Sequence, residues 1–213
     1  SSYQVRVEVK AAATAQDKQR MSAERLLDEA KKSSQKGAEP VAVTVEKARQ
    51  ALALWGELRD RYWEGVTFDL IGDAYYSADN KSEPAIVAYN QALAIFREIK
   101  DRAGEGNTLR ALGLALLFQN KQLKAIECFE QALTIARELK SRLREVQALN
   151  RLGYAYNKLS RSDKAIEYYE QALVGARELK DRTYEVYALN GLGFAYTPLS
   201  RYEKAIEYLE QGL

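Results

Sequence analysis

From residue 60 onward the apolar positions recur at i, i+3, i+4 and i+7, the period of a helix that buries one stripe. Between residues 141 and 180, Leu149, Leu152, Gly153 and Tyr156 share one face of a first helix. Ala165, Ile166, Tyr169, Ala172 and Leu173 share one face of a second. Short polar turns separate such helices: Gln119-Asn120-Lys121, Ser160-Arg161-Ser162 and Ser200-Arg201-Tyr202. Asp101, Ser141 and Asp181 stand where the next first-type helix begins, and their side chains are expected to cap it. Lys100, Lys140 and Lys180 close the second-type helices, where a cation complements the helix dipole.

The pattern repeats along the chain. Gly113, Gly153 and Gly193 recur every 40 residues, as do Ala85, Ala125, Ala165 and Ala205. Gly72 precedes Gly113 by 41, because the turn Ser77 to Pro84 holds one extra residue. This predicts four helix pairs, over residues 60–100, 101–140, 141–180 and 181–213. Residues 15–59 read as a divergent opening pair. Thr14 or Asp17 would cap its first helix, Gly37 would stop it, and Pro40 would open the second. That second helix carries Gln50 to Trp55, an echo of Gln91 to Phe96.

The first ten residues follow another rule. Tyr3, Val5, Val7 and Val9 alternate with Gln4, Arg6, Glu8 and Lys10, the period of a half-buried strand. Residues 1–14 are therefore expected to form an N-terminal β-arm. It would be either the last strand of an upstream domain or an exposed edge that mediates dimerisation. The chain has no initiator Met and reads as a piece of a longer protein. In the last unit Pro198 should kink or shorten its helix, and Gly212 replaces an alanine.

Composition narrows the function classes. The 32 basic and 30 acidic residues nearly balance, and no basic stripe suited to nucleic acid is present. No apolar run is long enough to cross a bilayer. The single cysteine, Cys128, permits no intrachain disulfide and fits a reducing, cytoplasmic setting. Histidine is absent, which removes Ser-His and Cys-His catalysis and histidine-held metals. Cys128 aligns with Ala88, Tyr168 and Tyr208 and reads as a small core residue. The carboxylate pairs Glu127/Glu130, Glu167/Glu170 and Glu207/Glu210 stand beside Lys124, Lys164 and Lys204 and are expected to form a solvated, ion-paired face. No enzyme activity, cofactor or metal is expected.

The repeat resembles the tetratricopeptide repeat. The residues that carry the likeness are Leu152-Gly153, Tyr156, Ala165, Tyr169 and Ala172, with matching sets around Gly72, Gly113 and Gly193. The unit of 40 residues is longer than the usual one of about 34 and is similar to that of kinesin light chains and related bacterial proteins. Arg137 and Arg177 stand where the family proline would end the second helix. The phrase Tyr3 to Glu8, followed by a helix, is similar to junctions in bacterial CHAT-protease proteins. The resemblance implies an all-α, right-handed superhelical solenoid of stacked antiparallel helix pairs, here with a short N-terminal β-arm. It also implies a scaffold that binds a peptide or protein segment in its concave groove. The alternative is a regulatory or oligomerisation module of a larger protein such as a CHAT-type protease.

On such a solenoid the first helix of each pair lines the inner wall. Counting from the repeat glycine gives the contact candidates Asn107, Arg110, Gln147, Asn150, Arg151, Tyr154, Asn157, Tyr187, Asn190 and Phe194. Amides there suit a peptide backbone and rings suit its apolar side chains, although an ordinary solvated face would carry the same residue types. Asp69 and Asp73 occupy the corresponding face of the first unit and would repel a carboxylate. Self-association through the N-terminal strand or the cut C-terminal end is a further expectation.

Overall fold

The computed structural model describes residues 13–36, 40–77 and 82–213. Their elements are α1 (Ala15–Lys36), α2 (Val41–Leu58), α3 (Arg61–Ser77), α4 (Ser82–Glu98), α5 (Arg102–Phe118), α6 (Gln122–Glu138), α7 (Arg142–Lys158), α8 (Ser162–Leu179), α9 (Arg182–Tyr196), a 3₁₀ turn (Thr197–Leu199) and α10 (Tyr202–Gln211). Each helix packs on the next, and odd-numbered helices also meet directly: α1 with α3, α3 with α5, α7 with α9. The result is a two-layer α-solenoid whose odd helices form the more closely packed layer.

The expected β-arm is corrected. All described elements are helical, no strand occurs among the described residues, and the described fold is an all-α solenoid. A strand needs a ladder partner, and the described backbone groups are consumed within helices. Residues 1–12, where the alternation predicts a strand, lie outside the described residues, as do Gly37 and residues 78–81. Thr14 opens α1 with a reciprocal cap. The Asp17 N–H donates to Thr14 Oγ1 at 3.1 Å, and the Thr14 N–H donates to the Asp17 carboxylate at 2.9 Å.

Small residues and rings interlock between the layers. Ala85, Ala125 and Ala165 are fully buried, and a continuous core runs from Ala85 to Ala205. A Cβ added to Gly72 would stand 2.5 Å from the Tyr89 ring, and one at Gly153 would stand 2.8 Å from Tyr169. One at Gly113 would collide with Phe129. Each repeat glycine is thus a site of close helix approach. Around residues 15–59 the core is separate: Ala23, Leu27 and Ala51 surround Trp55, which stacks on Trp63 with centroids 5.5 Å apart.

The turns are wound without glycine. Arg59, Lys100, Asn120, Lys140, Ser160, Lys180 and Ser200 all have φ between 52 and 58°, the left-handed region. The following N–H reaches back five residues, as from Asp101 to Phe96 and from Ser141 to Ala136, both at 2.9 Å. This is the Schellman closure, usually made by glycine. The terminal lysines therefore carry a backbone role beyond complementing the dipole. Lys140 makes no side-chain hydrogen bond or ion pair among the described residues. Lys140→Gly should stabilise the chain by about 0.5–1 kcal/mol, the relief of left-handed strain less the added entropy of the unfolded glycine. Thermal denaturation should show a rise of roughly 1–4 °C.

The capping residues divide. Asp101 accepts from the Ala103 and Gly104 N–H groups at 3.0 Å, and Asp181 accepts from Tyr184 N–H at 3.2 Å. Ser141 makes no side-chain cap. Pro198 acts as its type dictates: α9 has 15 residues against 17 in α5 and α7, and the chain tightens into the 3₁₀ turn.

Candidate functional site

Two charged systems have to be separated before a site can be found. The first is structural and sits at the helix junctions. Glu105, near the start of α5, accepts from Arg97 Nε of α4 at 2.8 Å and from Arg102. Arg102 continues to Glu138 of α6 at 2.6 Å. One unit later Arg137 and Arg142 both reach Glu145 at 2.9 Å, and Arg142 continues to Glu178 at 2.6 Å. Arg177 and Arg182 converge on Glu185 in the same way. Burial alone would push the Glu105 carboxyl up, but hydrogen bonds from Arg97 and Arg102 outweigh it and hold it below its ordinary value. The arginines standing in place of the family proline are therefore members of a ladder that ties each unit to the next.

The expected ion-paired face of Glu127/Glu130 and its repeats is corrected. These glutamates are exposed. Two of the three neighbouring lysines turn to rings, with Lys164 Nζ 5.2 Å from the Tyr156 centroid and Lys204 Nζ 5.5 Å from that of Tyr196. An ammonium over a ring face is held by the quadrupole and keeps its hydration on the other side. Cys128 is buried, and burial pushes its thiol up to about 11, so it stays protonated at neutral pH.

The second system lies on the face formed by α3, α5, α7 and α9. Three depressions follow one another there. The central one, about 130 Å³, is lined by Arg110, Gln147, Asn150, Arg151, Tyr154, Tyr169, Tyr184 and Tyr187. Arg151 and Tyr154 also wall a second, with Tyr76, Leu114 and Phe118. Tyr187 is shared with a third, lined by Arg182, Thr183, Val186 and Asn190. The central volume is far below the roughly 300–1,000 Å³ of small-molecule sites and matches a side chain.

Asn150 is 7% exposed, and its Nδ2 donates to the Val146 carbonyl at 3.2 Å. Its Oδ1 is buried without a hydrogen-bond partner. Gln147 Nε2 donates to the Tyr184 hydroxyl at 2.6 Å. Arg110 and Arg151 are half-buried and make no ion pair or hydrogen bond among the described residues. Tyr154 and Tyr187 are 43% and 56% exposed.

Six of the ten sequence-derived candidates meet in the central depression: Arg110, Gln147, Asn150, Arg151, Tyr154 and Tyr187. Asn190 lines the adjoining one. The remaining three do not line these depressions. Asn107 is half-buried on α5, and Phe194 stands 65% exposed on α9. Asn157 donates across units to the Gly191 carbonyl at 3.5 Å. Sequence reasoning missed Tyr184, which lies one turn before Tyr187 on the same helix face, and took Tyr169 for core alone.

At the α3 end the face is acidic. Thr108 Oγ1 donates to Asp69 at 2.9 Å, and the Tyr89 hydroxyl donates to Asp73 at 2.7 Å. Burial pushes the Asp69 carboxyl up to about 7 and Asp73 adds to the rise, while Thr108 and Arg110 oppose it. The protein around Asp73 raises its carboxyl as well, although part of that side chain meets solvent.

A family model described as tetratricopeptide repeat matches residues 85–138 and 144–213. The chain belongs to the tetratricopeptide repeat (TPR) family. Tetratricopeptide repeats are protein-interaction scaffolds, and the face described above is made by the first helices of successive TPR units. The solved structure of BtubC (BKLC) from P. vanneervenii is similar, with TM-score 0.74, 21% identity, and coverage of 94% of this chain and 90% of that one. The TPR-sensor STAND protein PH0952 from Pyrococcus horikoshii has TM-score 0.81 and 20% identity, over 91% of this chain and 30% of that one. A Rap protein complexed with competence and sporulation factor has TM-score 0.73 and 16% identity, over 90% and 53% of the two chains. No curated protein matches the sequence. No described helix is long and apolar enough to cross a membrane.

Proposed function

We propose that the chain is a scaffold whose α3–α5–α7–α9 face holds an extended segment of a partner protein. The observation that carries this is the buried, unpartnered Oδ1 of Asn150 on the floor of the central depression. An orphaned buried acceptor costs stability, and the chain keeps it where a backbone N–H could reach it. Shared walls at Arg151/Tyr154 and Tyr187 give successive seats along one line, as alternate side chains of an extended strand require. A similar solved structure is described as a Rap protein complexed with competence and sporulation factor, which supports ligand capture by this architecture.

A second reading, a regulatory module of a larger protein, is favoured by the STAND protein, in which the similar region is 30% of the chain. The two are compatible, because a sensor also needs a groove.

Selection of a random short-peptide library on the immobilised protein tests the reading. Enriched peptides should lose about tenfold or more in affinity on Tyr154→Ala or Tyr187→Ala. Glu127→Ala, on the exposed side of α6, should change nothing. Enriched peptides indifferent to both tyrosines would remove the groove from the function.

A further inference from the structure

The seam between α3 and α5 carries a polar cluster that the later units lack. The positions equivalent to Asp69 are Arg110, Asn150 and Asn190, and those equivalent to Asp73 are Leu114, Tyr154 and Phe194. The two carboxylates stand one turn apart on the same face of α3. Asp73 is exposed and accepts from the Tyr89 hydroxyl of α4 at 2.7 Å. Asp69 is half-buried and faces Thr108 of α5. Arg110 of α5 lies in the field of both and closes an ion pair with neither. Helices α1 and α2 also pack on α3, but their cations are engaged elsewhere. Lys31 lies over the Trp63 ring, Arg20 holds Asp60, and Lys47 reaches Glu29. The charged and titratable groups around Asp69 are therefore Asp73, Arg110 and Tyr89.

The hydrogen bonds of this seam are one proton short. The Thr108 hydroxyl lies 2.9 Å from Asp69 Oδ1 and 3.0 Å from the Gly104 carbonyl oxygen. A hydroxyl has one proton to give, and both neighbours can accept it. Given to Asp69, it serves an ionised carboxylate and leaves the Gly104 contact unmade. Given to Gly104, it leaves two oxygens 2.9 Å apart with nothing between them, unless Asp69 carries a proton of its own. One added proton satisfies both contacts, with Asp69 donating to Thr108 and Thr108 donating to Gly104. Charge acts in the same direction. Two carboxylates and one arginine leave a net charge of −1 in a partly desolvated seam, which binding one proton removes. Asp69 is the more enclosed of the two and takes it. Burial pushes its carboxyl up to about 7, with Asp73 adding to the rise and Thr108 and Arg110 opposing it.

We propose that the α3–α5 seam is a proton-operated switch: a proton on Asp69 completes the chain from Asp69 through Thr108 to Gly104, and its release adds a negative charge that draws Arg110 toward α3. Arg110 also lines the central depression, so the wall of that depression changes with the state of Asp69. The switch is a property of the free chain and stands whether or not the groove holds a segment of a partner.

Two measurements on the whole chain test it. In carbon-13 NMR one aspartate carboxyl should titrate near pH 7, and Asp69→Asn should remove that signal. The Arg110 Nε–H resonance should move with the same midpoint in the parent and stay fixed in Asp69→Asn. Stability supplies the second readout, because Asn is neutral and donates to Thr108 as the protonated acid does. The folded chain keeps the Asp69 proton to a higher pH than the unfolded chain, where the ordinary value is 3.8. The stability that this proton gives is fully present below the unfolded value and is lost as pH rises to about 7. The folding constant of Asp69→Asn relative to the parent should therefore rise about tenfold per pH unit across that window and level off above it. A carboxyl midpoint in the ordinary aspartate range, or a ratio of folding constants that does not change with pH, would overturn the proposal. An Arg110 resonance that ignores the Asp69 titration would overturn it as well, by cutting the link to the depression.

Discussion

Phe129→Ala should lower stability by about 3–5 kcal/mol, the range for truncating a fully buried ring. The companion result is a change of sign at Gly113. In the parent, Gly113→Ala should destabilise by about 1–2 kcal/mol, because overpacking outweighs the gain in helix propensity. In the Phe129→Ala background the same substitution should stabilise by about 0.5–1 kcal/mol, the propensity gain alone. The reason is geometric. A Cβ at Gly113 would collide with the Phe129 ring, and that ring is 0% exposed in the middle of the continuous core. It has nowhere to go. Denaturant midpoints of the four proteins complete the cycle. A Gly113→Ala effect of the same sign in both backgrounds would show that the ring does not set the approach of α5 and α6.

Glu105→Gln should cost about 2 kcal/mol at neutral pH. Glu105 accepts two charge-assisted hydrogen bonds, each worth roughly 1.5–3 kcal/mol, offset in part by the desolvation of the charge. Its side chain is 8% exposed, while Arg97 and Arg102 are 49% and 43% exposed and recover hydration when it is gone. The pH dependence has a definite sign. The folded carboxyl lies below its ordinary value of 4.5, so its contribution is fully present above that value. It is lost as pH falls through the folded value. The gap between parent and Glu105→Gln in urea should therefore be widest near neutrality and close in acid. Asp69, whose raised carboxyl acts in the opposite sense, is common to both proteins and cancels from the difference. A gap that persists unchanged in acid would mean that the arginines do not hold Glu105 ionised.

What could be read from the sequence depended on whether one residue type settles the matter. Periodicity places the helices, because a buried stripe has one spacing. The repeat glycines mark close approach, because a Cβ there meets a ring, and Gly153 under Tyr169 shows it. The left-handed lysines were not legible as such: Lys140 has the residue type of an exposed helix end, and only the 2.9 Å bond from Ser141 to Ala136 reveals its backbone. The junction ladder escaped notice because Arg102 and Glu138 are far apart in the chain and meet only after α5 and α6 fold together. Counting around the helix put Asn150 on the inner face. That its oxygen would be left buried and alone depends on Val146 taking the nitrogen, which no spacing encodes. The β-arm failed as part of the fold class because alternation reports a preference, while a strand requires a neighbour.

Tyr169 joins two of these features. Its ring stands against Gly153 of its own unit and against Gly191 of the next, and it also lines the central depression. The spacer that separates α7 from α9 is therefore also the floor of the groove. Local superhelical pitch and groove width are one mechanical variable at this point, so bending the solenoid and reshaping its floor are the same deformation.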